Sequence, residues 1–531
     1  MTDAGGDRPD LQILPYERRE AHVKDWDPRT TEVAATIAAM VRRRRPDLAV
    51  EHIGSTAVPG LPGKGIVDLS VEVEPGQIPG VVELLYGLGF GPQPGPDPWP
   101  PTRPMVVGAV LVDGDEFRLH LHVQPVGGDM PRDIAFRDAL RDDPELLRQY
   151  AALKTQITGG QRVDALRYTH SKTAWILGVY KALGFRVPAI PPPATIGILG
   201  GGRLGRMIGL AASALGYHVA VLDPDPECPA AAVVDRVEVG RSDDLEAARR
   251  LAAGCAVITC ELDDVSLELV RALDDGRVAV RPGPYALRLT HDRAAQRRFL
   301  EANGAAVAPW LGEAGPGDVG PDGGERLPAG VIELSVIVAR GVDGVVEGYP
   351  VARTFRVAGD VVESSAPADI PDVTAAEALS IATSLATGMG LVGLLTVELF
   401  LLPDGSLVVG ELVPRVQDSG LWTIDLAATG QFEQQVRAIC GLPLGSTELL
   451  AGAAASVGLV GAGPDREARI GGAEAALDAP DVHLHLYGER RVGEGRKMGH
   501  VTATGPTPEA ALAAARAAAA RVRWDAGKEA R

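Results

Sequence analysis

The chain is poor in cysteine and in aromatic residues. Four cysteines occur in 531 residues, and aromatic residues make up 4% of the sequence. No two cysteines have the CxxC spacing, so the sequence predicts neither a zinc site nor a disulfide framework. Because aromatic side chains are scarce, the cores must consist mainly of alanine, valine, leucine and isoleucine.

Signals for secretion and for membrane insertion are also lacking. Residues 1–10 are polar and contain no apolar segment of the kind found in signal peptides. The most apolar stretch, residues 391–402, contains Glu398 and is shorter than the roughly 20 residues that span a bilayer. We therefore expect a cytoplasmic protein without a membrane partner.

Positive charge is in deficit. The formal net charge is -18, which argues against a nucleic-acid partner. Hydrophobic residues make up 46% of the chain, which is normal for a globular protein. A chain of this length is expected to form about two to four domains, and this composition favours domains that bind small molecules.

Two alternating segments near the N-terminus carry candidate site residues. Residues 66–73 alternate apolar and polar side chains, as a half-buried strand does, and place Asp68 on the polar face. Residues 118–123 alternate likewise and place His120 and His122 on one face. Such side chains can bind a metal ion or a phosphate, but two strand histidines are also compatible with a polar sheet face that binds nothing.

This N-terminal region resembles the GrpB-like family. The resemblance is carried by residues 51–60, 64, 66–68, 120–123, 135–138 and 150–154. It implies a nucleotidyltransferase-like fold, in which a glycine–serine turn holds a phosphate and strand carboxylates hold a cation. The candidate site residues are Gly54, Ser55, Lys64, Asp68, His120 and His122. Ser70 stands where a nucleotidyltransferase would place its second carboxylate.

A glycine turn follows a proline-rich linker. Residues 195–199 form a short apolar segment, residues 200–205 contain GxGxxG, and residues 217–223 form a second apolar segment that ends in Asp223. In this strand–turn–helix context the glycines let the backbone approach a phosphate. The turn fits a dinucleotide site in which Asp223 binds ribose, a site for a phosphorylated substrate, or a purely structural turn.

A predicted hairpin brings two carboxylates together. If Asp404 and Gly405 form a two-residue type I′ loop, Glu398 lies opposite Glu411. The same register places Phe400 opposite Val409 and Leu402 opposite Leu407. Facing carboxylates repel each other, and a divalent cation between them would remove that cost. The alternative is that both side chains point into solvent.

The region from residue 195 to 504 resembles carboxyaminoimidazole ribonucleotide synthetase, an ATP-grasp enzyme. The motifs that carry the resemblance are residues 223–226, 281–284, 291–293, 333–340, 397–400, 411–415, 422–425, 485–488 and 495–500. The resemblance implies an ATP-dependent ligase of purine biosynthesis. Such an enzyme phosphorylates bicarbonate, and the amine of aminoimidazole ribonucleotide then captures the carboxyl group. It also implies Mg²⁺ as cofactor and a homodimer.

The resemblance assigns roles to individual residues. It implies Lys497 and Arg496 as catalytic residues, and Glu398 and Glu411 as metal ligands. It implies a substrate site of Gly201, Gly202, Arg203, Leu204 and Asp223, and an ATP site of Arg293, Glu333, Arg356, Gly410 and Glu411. The chain departs from the family pattern at Arg203, at Gly410, and at Gln417 and Asp418, which replace a histidine–asparagine pair.

The predicted fold is α/β and multidomain. The predicted parts are a nucleotidyltransferase-like domain (1–186), a linker (187–194), a Rossmann-like pre-ATP-grasp domain (195–310), a flexible loop (311–330), an ATP-grasp body (331–450) and a β-rich C-terminal lobe with a helix (451–531). Related enzymes carry a small lobe where the loop stands, and a single βαβ unit already needs roughly 30 residues. We therefore expect a truncated ATP-grasp domain.

Three further functions stay open at this point. The C-terminal region would be a ribonucleotide-binding or regulatory module if the truncation had impaired catalysis. The N-terminal domain would be a nucleotidyltransferase if Asp68 held a catalytic metal ion. A dehydrogenase is the weakest alternative, because Glu398, Glu411 and the Arg496–Lys497 pair would then have no role.

Overall fold

Two units make up the computed structural model. It describes residues 11–94, 99, 102–185, 189–261, 265–274, 278–308, 329–357 and 360–524. The first unit contains the residues before 187 together with 274–277, and the second contains the remainder. The predicted loop 311–330 lies outside the described residues except for its last two positions, and the predicted linker begins outside them. No helix in the described part of the chain is long and apolar enough to cross a membrane.

The first unit is a five-stranded sheet with helices. Its sheet order is β1-β2-β5-β4-β3, in which β2 and β5 are parallel and the other neighbours are antiparallel. The strands are β1 (Val50–Ile53), β2 (Ile66–Val73), β3 (Gly91–Pro92), β4 (Met105–Val112) and β5 (Asp115–Pro125). The helices are α1 (Arg29–Arg44), α2 (Ile78–Gly87), α3 (Met130–Asp142), α4 (Pro144–Thr158), α5 (Ala165–Ser171) and α6 (Thr173–Ala182).

The alternation predicted for β2 and β5 is confirmed. Val67, Leu69 and Leu121 are buried in the core that the sheet forms with α1 and α2. Because neighbouring side chains on a strand point to opposite faces, Asp68 and His120 lie on the other face of the sheet. A smaller core on α3, α4 and α6 contains Phe136 and Tyr150.

The second unit begins with a parallel sheet of the predicted Rossmann type. The sheet order is β10-β9-β6-β7-β8. The strands are β6 (Thr195–Leu199), β7 (His218–Asp223), β8 (Arg236–Val239), β9 (Val257–Cys260) and β10 (Ala279–Val280). The helices are α7 (Arg203–Ala214), α8 (Leu245–Ala252), α9 (Leu267–Leu273), α10 (Pro284–His291) and α11 (Arg293–Ala302). The turn from β6 into α7 contains Gly200, whose φ of 108° favours glycine.

A second sheet, in which the described strand pairings are all antiparallel, forms much of the rest of this unit. Its order is β16-β15-β11-β13-β14-β17-β22-β20, and β12 pairs with β11. Its strands are β11 (Ile332–Arg340), β12 (Val346–Gly348), β13 (Ala352–Val357), β14 (Asp360–Ala366), β15 (Gly393–Leu401), β16 (Leu407–Val413), β17 (Ala453–Val460), β20 (Val482–Leu486) and β22 (Lys497–Gly505). The pairing of β14 with β17 joins the predicted ATP-grasp body and C-terminal lobe in one sheet.

Four short strands and five helices complete the described part of this unit. The strands form two pairs, β18 (Arg466–Glu467) with β21 (Arg491–Val492), and β19 (Ile470–Gly471) with β23 (Arg523–Trp524). The helices are α12 (Asp372–Gly388), α13 (Thr423–Leu426), α14 (Gln431–Cys440), α15 (Ala473–Ala476) and α16 (Pro508–Ala519).

The β15–β16 hairpin pairs Glu398 with Glu411 as predicted, but its turn differs from the prediction. Leu401 lies opposite Leu407, so three residues rather than two form the loop between Leu402 and Ser406. Among the described non-glycine residues only Asp113 has a positive φ, so Asp404 does not adopt the type I′ conformation. The predicted pairs Phe400–Val409 and Leu402–Leu407 are therefore wrong.

A bulge at Gly410 restores the predicted register between this point of the hairpin and the carboxylate pair. Leu399 lies opposite Val409 while Glu398 lies opposite Glu411, so Gly410 is the extra residue on β16. The absence of a side chain is required here, because a Cβ atom on Gly410 would lie 2.7 Å from Cε2 of Phe400. The longer loop and the bulge each shift the register by one residue, and the two shifts cancel at the carboxylate pair.

Replacing Gly410 therefore tests the bulge. We expect Gly410→Ala to lower the stability of the second unit by about 1–3 kcal/mol, because the added methyl group displaces Phe400 or the bulge. Denaturant unfolding followed by tryptophan fluorescence measures this loss. Gly254→Ala is the matched control, since a Cβ atom there would have its nearest neighbour at 3.9 Å. Equal stability of the two variants would contradict the account of the bulge.

Candidate functional site

Two cations from distant parts of the chain meet on one carboxylate. Arg203 begins α7, and Lys497 begins β22. Nη2 of Arg203 and Nζ of Lys497 donate to the same oxygen, Oδ2 of Asp418, at 2.6 and 2.7 Å. Asp418 lies in the short helical turn that follows β16, and its side chain is 9% exposed. Burial opposes its charge, but Arg203 and Lys497 hold the pKa of Asp418 below its usual value.

The glycine turn already uses two of its N–H groups. Gly201 donates to Oδ2 of Asp223 at 2.9 Å, and Gly202 donates to Oε1 of Glu261 at 2.8 Å. Burial raises the pKa of Glu261. One interpretation of the sequence was that the backbone of this turn approaches a phosphate. In the structure, each of these two N–H groups donates to a carboxylate instead. Leu204 packs into the core beneath α7 and offers no polar group.

Arg496 lies apart from the Asp418 cluster. Its side chain is 42% exposed, its Nη1 donates to the carbonyl of Arg491 at 3.1 Å, and the same atom lies 3.7 Å from Oδ1 of Asp465. The structure thus brings Lys497 together with Arg203, and it directs Arg496 to a different set of partners. The predicted roles of these three residues stay predictions.

A second group of charges lies on neighbouring strands of the large sheet. Arg356 on β13 donates through Nε to Oε1 of Glu333 at 2.6 Å, and its Nη2 forms an ion pair with Glu398 on β15. The side chains of Glu333 and Glu398 are 6% and 11% exposed, whereas Glu411 is exposed. Burial raises the pKa of Glu398 to about 7; Arg356 opposes this rise, and Glu411 and Glu333 add to it.

This second group matches part of the predicted nucleotide and metal site. Glu333, Arg356, Glu398 and Glu411 lie together, and Gly410 forms the bulge beside them. Carboxylate oxygens are the ligands that Mg²⁺ prefers, so the donor set fits that ion. Arg293 is the first residue of α11, and its predicted contact with a nucleotide stays a prediction.

A hydrogen bond links the segments that carry the two groups. Ser419, which follows Asp418, accepts a hydrogen bond from Ser335 on β11 through its hydroxyl, with 2.7 Å between the oxygens. Ser335 lies opposite Glu398 in the β11–β15 register. The turn that carries Asp418 therefore lies against β11, beside the strand that carries Glu398.

In the first unit, the predicted residues also come together. Nδ1 of His120 lies 3.3 Å and Nε2 of His122 lies 3.9 Å from Oδ1 of Asp68. Gly54 packs against Asp68, because a Cβ atom on Gly54 would lie 2.5 Å from Oδ2 of that residue. The lining of the same cavity includes Gly54, Ser55, Lys64, Asp68, His120 and His122.

Sequence reasoning missed the acidic partners of the phosphate-binding candidates. Asp418 was noted only as a departure from a family pattern, and Glu261 was not singled out. Arg203 is 215 residues from Asp418, and Gly202 is 59 residues from Glu261. Local spacing carries no signal for contacts of this range. The one local indication was Asp418 itself, an acid at the position where the family has asparagine.

The Arg356 ion pairs can be tested by removing their cation. We expect Arg356→Met to lower stability by about 2–3 kcal/mol, because Glu333 and Glu398 would repel each other in a buried place and partial exposure screens the effect. Millimolar Mg²⁺ should raise the unfolding temperature of the variant more than that of the unchanged protein. Differential scanning calorimetry measures both effects.

The matched control is Arg353→Met on the same strand, where the guanidinium is exposed above the ring of Phe355. We expect that control to unfold like the unchanged protein and to respond to Mg²⁺ in the same way. An Arg356→Met variant that shows no gain from Mg²⁺ would contradict the interpretation of these carboxylates as metal ligands.

Comparison with protein families covers both units. Residues 20–182 match the family described as GrpB protein. Residues 193–291 match the ribonucleotide synthetase preATP-grasp domain, and residues 330–432 match the ATP-grasp domain. Residues 454–514 match the phosphoribosylaminoimidazole carboxylase C-terminal domain. The mixed α/β architecture with preATP-grasp and ATP-grasp domains is thereby confirmed.

Individual relatives agree with these families. The N5-carboxyaminoimidazole ribonucleotide synthase of Brucella melitensis is 34% identical over 363 residues, which cover 60% of this chain and 98% of that protein. The crystal structure of the synthetase from Thermotoga maritima has a TM-score of 0.56 at 33% identity, and the match covers 62% of this chain and 99% of that one. A synthase from Aspergillus clavatus, in complex with ADP and 5-aminoimidazole ribonucleotide, has a TM-score of 0.53 at 26% identity over 62% and 99% of the two chains.

The resemblance stated from the sequence is confirmed, since these matches span almost the whole length of the relatives. The chain belongs to the N5-carboxyaminoimidazole ribonucleotide synthase family of ATP-grasp carbon–nitrogen ligases of purine biosynthesis, and a GrpB domain stands before that region.

Proposed function

We propose that this chain carboxylates 5-aminoimidazole ribonucleotide with bicarbonate at the expense of ATP, and that it uses Mg²⁺. The observation that carries the proposal is the link from the Asp418 cluster to the carboxylates of the large sheet. Ser419 and Ser335 connect the two groups, one rich in cations and one in carboxylates. A ligase of this class needs both, because it must hold a substrate phosphate beside a metal-bound nucleotide.

The cations on Asp418 are the proposed site for the phosphate of the ribonucleotide. Arg203 presents a guanidinium and Lys497 an ammonium, which are the two groups that proteins use most often for phosphate. Both now neutralise Asp418, so the substrate's phosphate must displace that carboxylate from at least one of them. The N–H groups of Gly201 and Gly202 would shape this site indirectly, because they hold the carboxylates of Asp223 and Glu261 against the turn.

The carboxylates on the large sheet are the proposed site for the nucleotide. Glu398 and Glu411 would hold Mg²⁺, which supplies charge neutralisation for the phosphoryl group of ATP. Glu333 would accept hydrogen bonds from ribose hydroxyls, and Arg356 and Arg293 are the proposed nucleotide contacts. When the nucleotide binds, the guanidinium of Arg356 would leave its ion pair with Glu398 and bind phosphate oxygens instead. Gly410 shapes this site through the bulge.

The proposed domain organisation includes a truncated ATP-grasp domain. The alignment with the Brucella relative is 363 positions long and includes 60% of this chain, which is about 319 of its 531 residues. Roughly 44 positions of the alignment are therefore gaps in this chain. Residues 309–329 separate Ala308, whose N–H donates to the carbonyl of Val409 on β16, from Gly330, which lies beside Pro403 of the same hairpin. We propose the divisions 1–186, 187–194, 195–310, 311–330, 331–450 and 451–531.

A ribonucleotide-binding module without ligase activity is the second candidate. It is favoured by the ion pairs of Arg356, which occupy the carboxylates that would hold the metal, and by the shortened segment between α11 and β11. The two candidates share the phosphate site at Arg203 and Lys497. They differ in whether ATP is consumed.

Two other functions considered from the sequence receive less support. For a dehydrogenase, Asp223 would have to bind ribose, yet it accepts hydrogen bonds from Gly201 and Asp225. For a two-carboxylate nucleotidyltransferase, Ser70 stands in place of the second acid and is buried beside Gln124. We retain the nucleotidyltransferase-like fold as a proposal for the first unit, and a homodimer as a proposal for the assembly.

A steady-state assay separates the two main candidates. Purified full-length protein is incubated with ATP, Mg²⁺, bicarbonate and aminoimidazole ribonucleotide, and ADP release is measured. We expect ADP release that depends on the ribonucleotide, and we expect Glu398→Gln to reduce kcat at least about 100-fold, because loss of metal ligation removes charge stabilisation of the transferring phosphoryl group. Glu83→Gln, on the exposed side of the first unit's helix α2, is the control.

Ribonucleotide binding without ADP release, unchanged by Glu398→Gln, would select the module without ligase activity. The absence of both binding and ADP release would reject both candidates.

Asp418→Asn makes a separate prediction about the phosphate site. The substitution keeps the shape of the side chain and removes its charge, so Arg203 and Lys497 interact more strongly with phosphate. We expect the Kd for aminoimidazole ribonucleotide to fall about tenfold, which corresponds to about 1.4 kcal/mol. Isothermal titration calorimetry measures it, with Asp235→Asn as the control at an exposed carboxylate. An unchanged or higher Kd would show that Asp418 does not compete with the substrate.

A further inference from the structure

A cavity of about 530 Å³ in the first unit contains three potential metal ligands. Asp68, His120 and His122 each direct one ligand atom into it, and these atoms lie within 4.8 Å of one another. The cavity has the size of a small-molecule site. None of these residues takes part in the ligase chemistry proposed for the second unit.

The sheet register explains why the three residues converge. In the parallel pairing of β2 with β5, Asp68 lies beside His120 and Ser70 lies beside His122. His120 and His122 are two residues apart on one strand, so both side chains point to the face that carries Asp68. Each histidine side chain is 14% exposed and Asp68 is 24% exposed, which distinguishes them from a solvated polar face.

A hydrogen bond with Tyr16 orients His120, and the absence of a side chain at Gly54 makes room for Asp68. Nε2 of His120 lies 3.0 Å from the hydroxyl of Tyr16, which leaves Nδ1 directed at Asp68. A hydrogen bond on the far nitrogen is the usual way in which proteins fix the tautomer and the ring position of a metal-binding histidine. Gly54 leaves room for the Asp68 carboxylate, because any Cβ atom there would collide with it.

Two half-buried lysines give the same cavity a positive wall. The ammonium groups of Lys64 and Lys172 lie 5.4 and 5.0 Å from the ring centre of Tyr168, and both residues line the cavity. Within the described residues, neither forms a salt bridge with a carboxylate. Asp68 is the carboxylate of this cavity whose charge acts on both lysines, so one of the two positive charges is left for an added anion to balance.

We propose that Asp68, His120 and His122 bind a divalent transition metal ion, and that this centre binds a phosphoryl group whose negative charge Lys64 and Lys172 balance. Two imidazole nitrogens and one carboxylate favour a transition metal over Mg²⁺, which prefers oxygen ligands. Three protein ligands leave positions open for an exogenous ligand. The phosphate oxygens would complete the coordination on the side of the two lysines.

Titration with Co²⁺ tests the metal site. The full-length protein is stripped with a chelator, and Co²⁺ uptake is followed by visible absorption and by equilibrium dialysis. We expect binding of one Co²⁺ in this cavity with a ligand-field spectrum indicating nitrogen ligands. Asp68→Asn, His120→Ala and His122→Ala should each weaken this binding at least tenfold, and Tyr16→Phe should weaken it by about tenfold through loss of the His120 partner.

The control variant is His22→Ala, which removes an exposed histidine of the same unit. It should bind Co²⁺ like the unchanged protein. Circular dichroism establishes that each variant is folded, and the graded effect of Tyr16→Phe serves if a ligand variant does not fold. Co²⁺ binding of equal affinity in His120→Ala, His122→Ala and Tyr16→Phe would overturn the proposal.

Phosphate binding is tested on the Co²⁺ form. Inorganic phosphate and adenosine monophosphate are added separately, and the change in the cobalt spectrum is followed. We expect both to change the spectrum, with at least tenfold weaker binding in Lys64→Gln and Lys172→Gln. Tighter binding of the nucleotide than of inorganic phosphate would identify a phosphate ester as the ligand, and equal affinities would identify free phosphate. A spectrum that responds to neither compound would overturn the assignment of a phosphoryl ligand.

Discussion

The burial of carboxylates beside cations is the interaction on which the candidate sites of this protein depend. Asp418 is held by Arg203 and Lys497, and Glu333 and Glu398 are held by Arg356. Removing one partner of such a pair leaves an uncompensated buried charge, which is costly. Each pair joins residues that are distant in the sequence. The same contacts therefore hold separate parts of the second unit together and fix the positions of the three cations.

This constraint also determines how a ligand would bind at the proposed sites. The phosphates of a nucleotide or a ribonucleotide carry the same charge as the carboxylates that now occupy the cations. Binding at the proposed sites would then be an exchange of one anion for another, and its free energy would be the difference between two similar interactions. The hydrogen bond from Ser335 to Ser419 places the two exchanges in neighbouring parts of one unit.

The sequence predicted local features well and distant contacts poorly. The alternation in residues 66–73 identified β2 and the face of Asp68, because side-chain direction on a strand follows from position alone. The pairing of Glu398 with Glu411 was predicted, but from a two-residue loop; a three-residue loop and the bulge at Gly410 compensate each other. The sequence shows that Asp418 replaces the asparagine of the family pattern. Its two cationic partners could not be predicted, because they depend on how α7, β16 and β22 pack.

The N-terminal site shows the same division. His120 and His122 were predicted to share a face, which is a local property of β5. Their position beside Asp68 depends on the parallel pairing of β2 with β5, which brings together residues about 50 apart in the chain. Motifs carried the family resemblance of the second unit because such motifs record contacts that local patterns do not show. The first unit offered fewer motifs of known chemistry, so the structure contributes more there.

A crystal structure of the full-length protein with aminoimidazole ribonucleotide would test the central claim most directly. The account predicts that the substrate's phosphate lies within hydrogen-bonding distance of both Arg203 and Lys497, and that Asp418 has moved away from at least one of them. A phosphate bound elsewhere, with Asp418 still accepting from both cations, would contradict the proposal that these ion pairs stand in the place of the ligand.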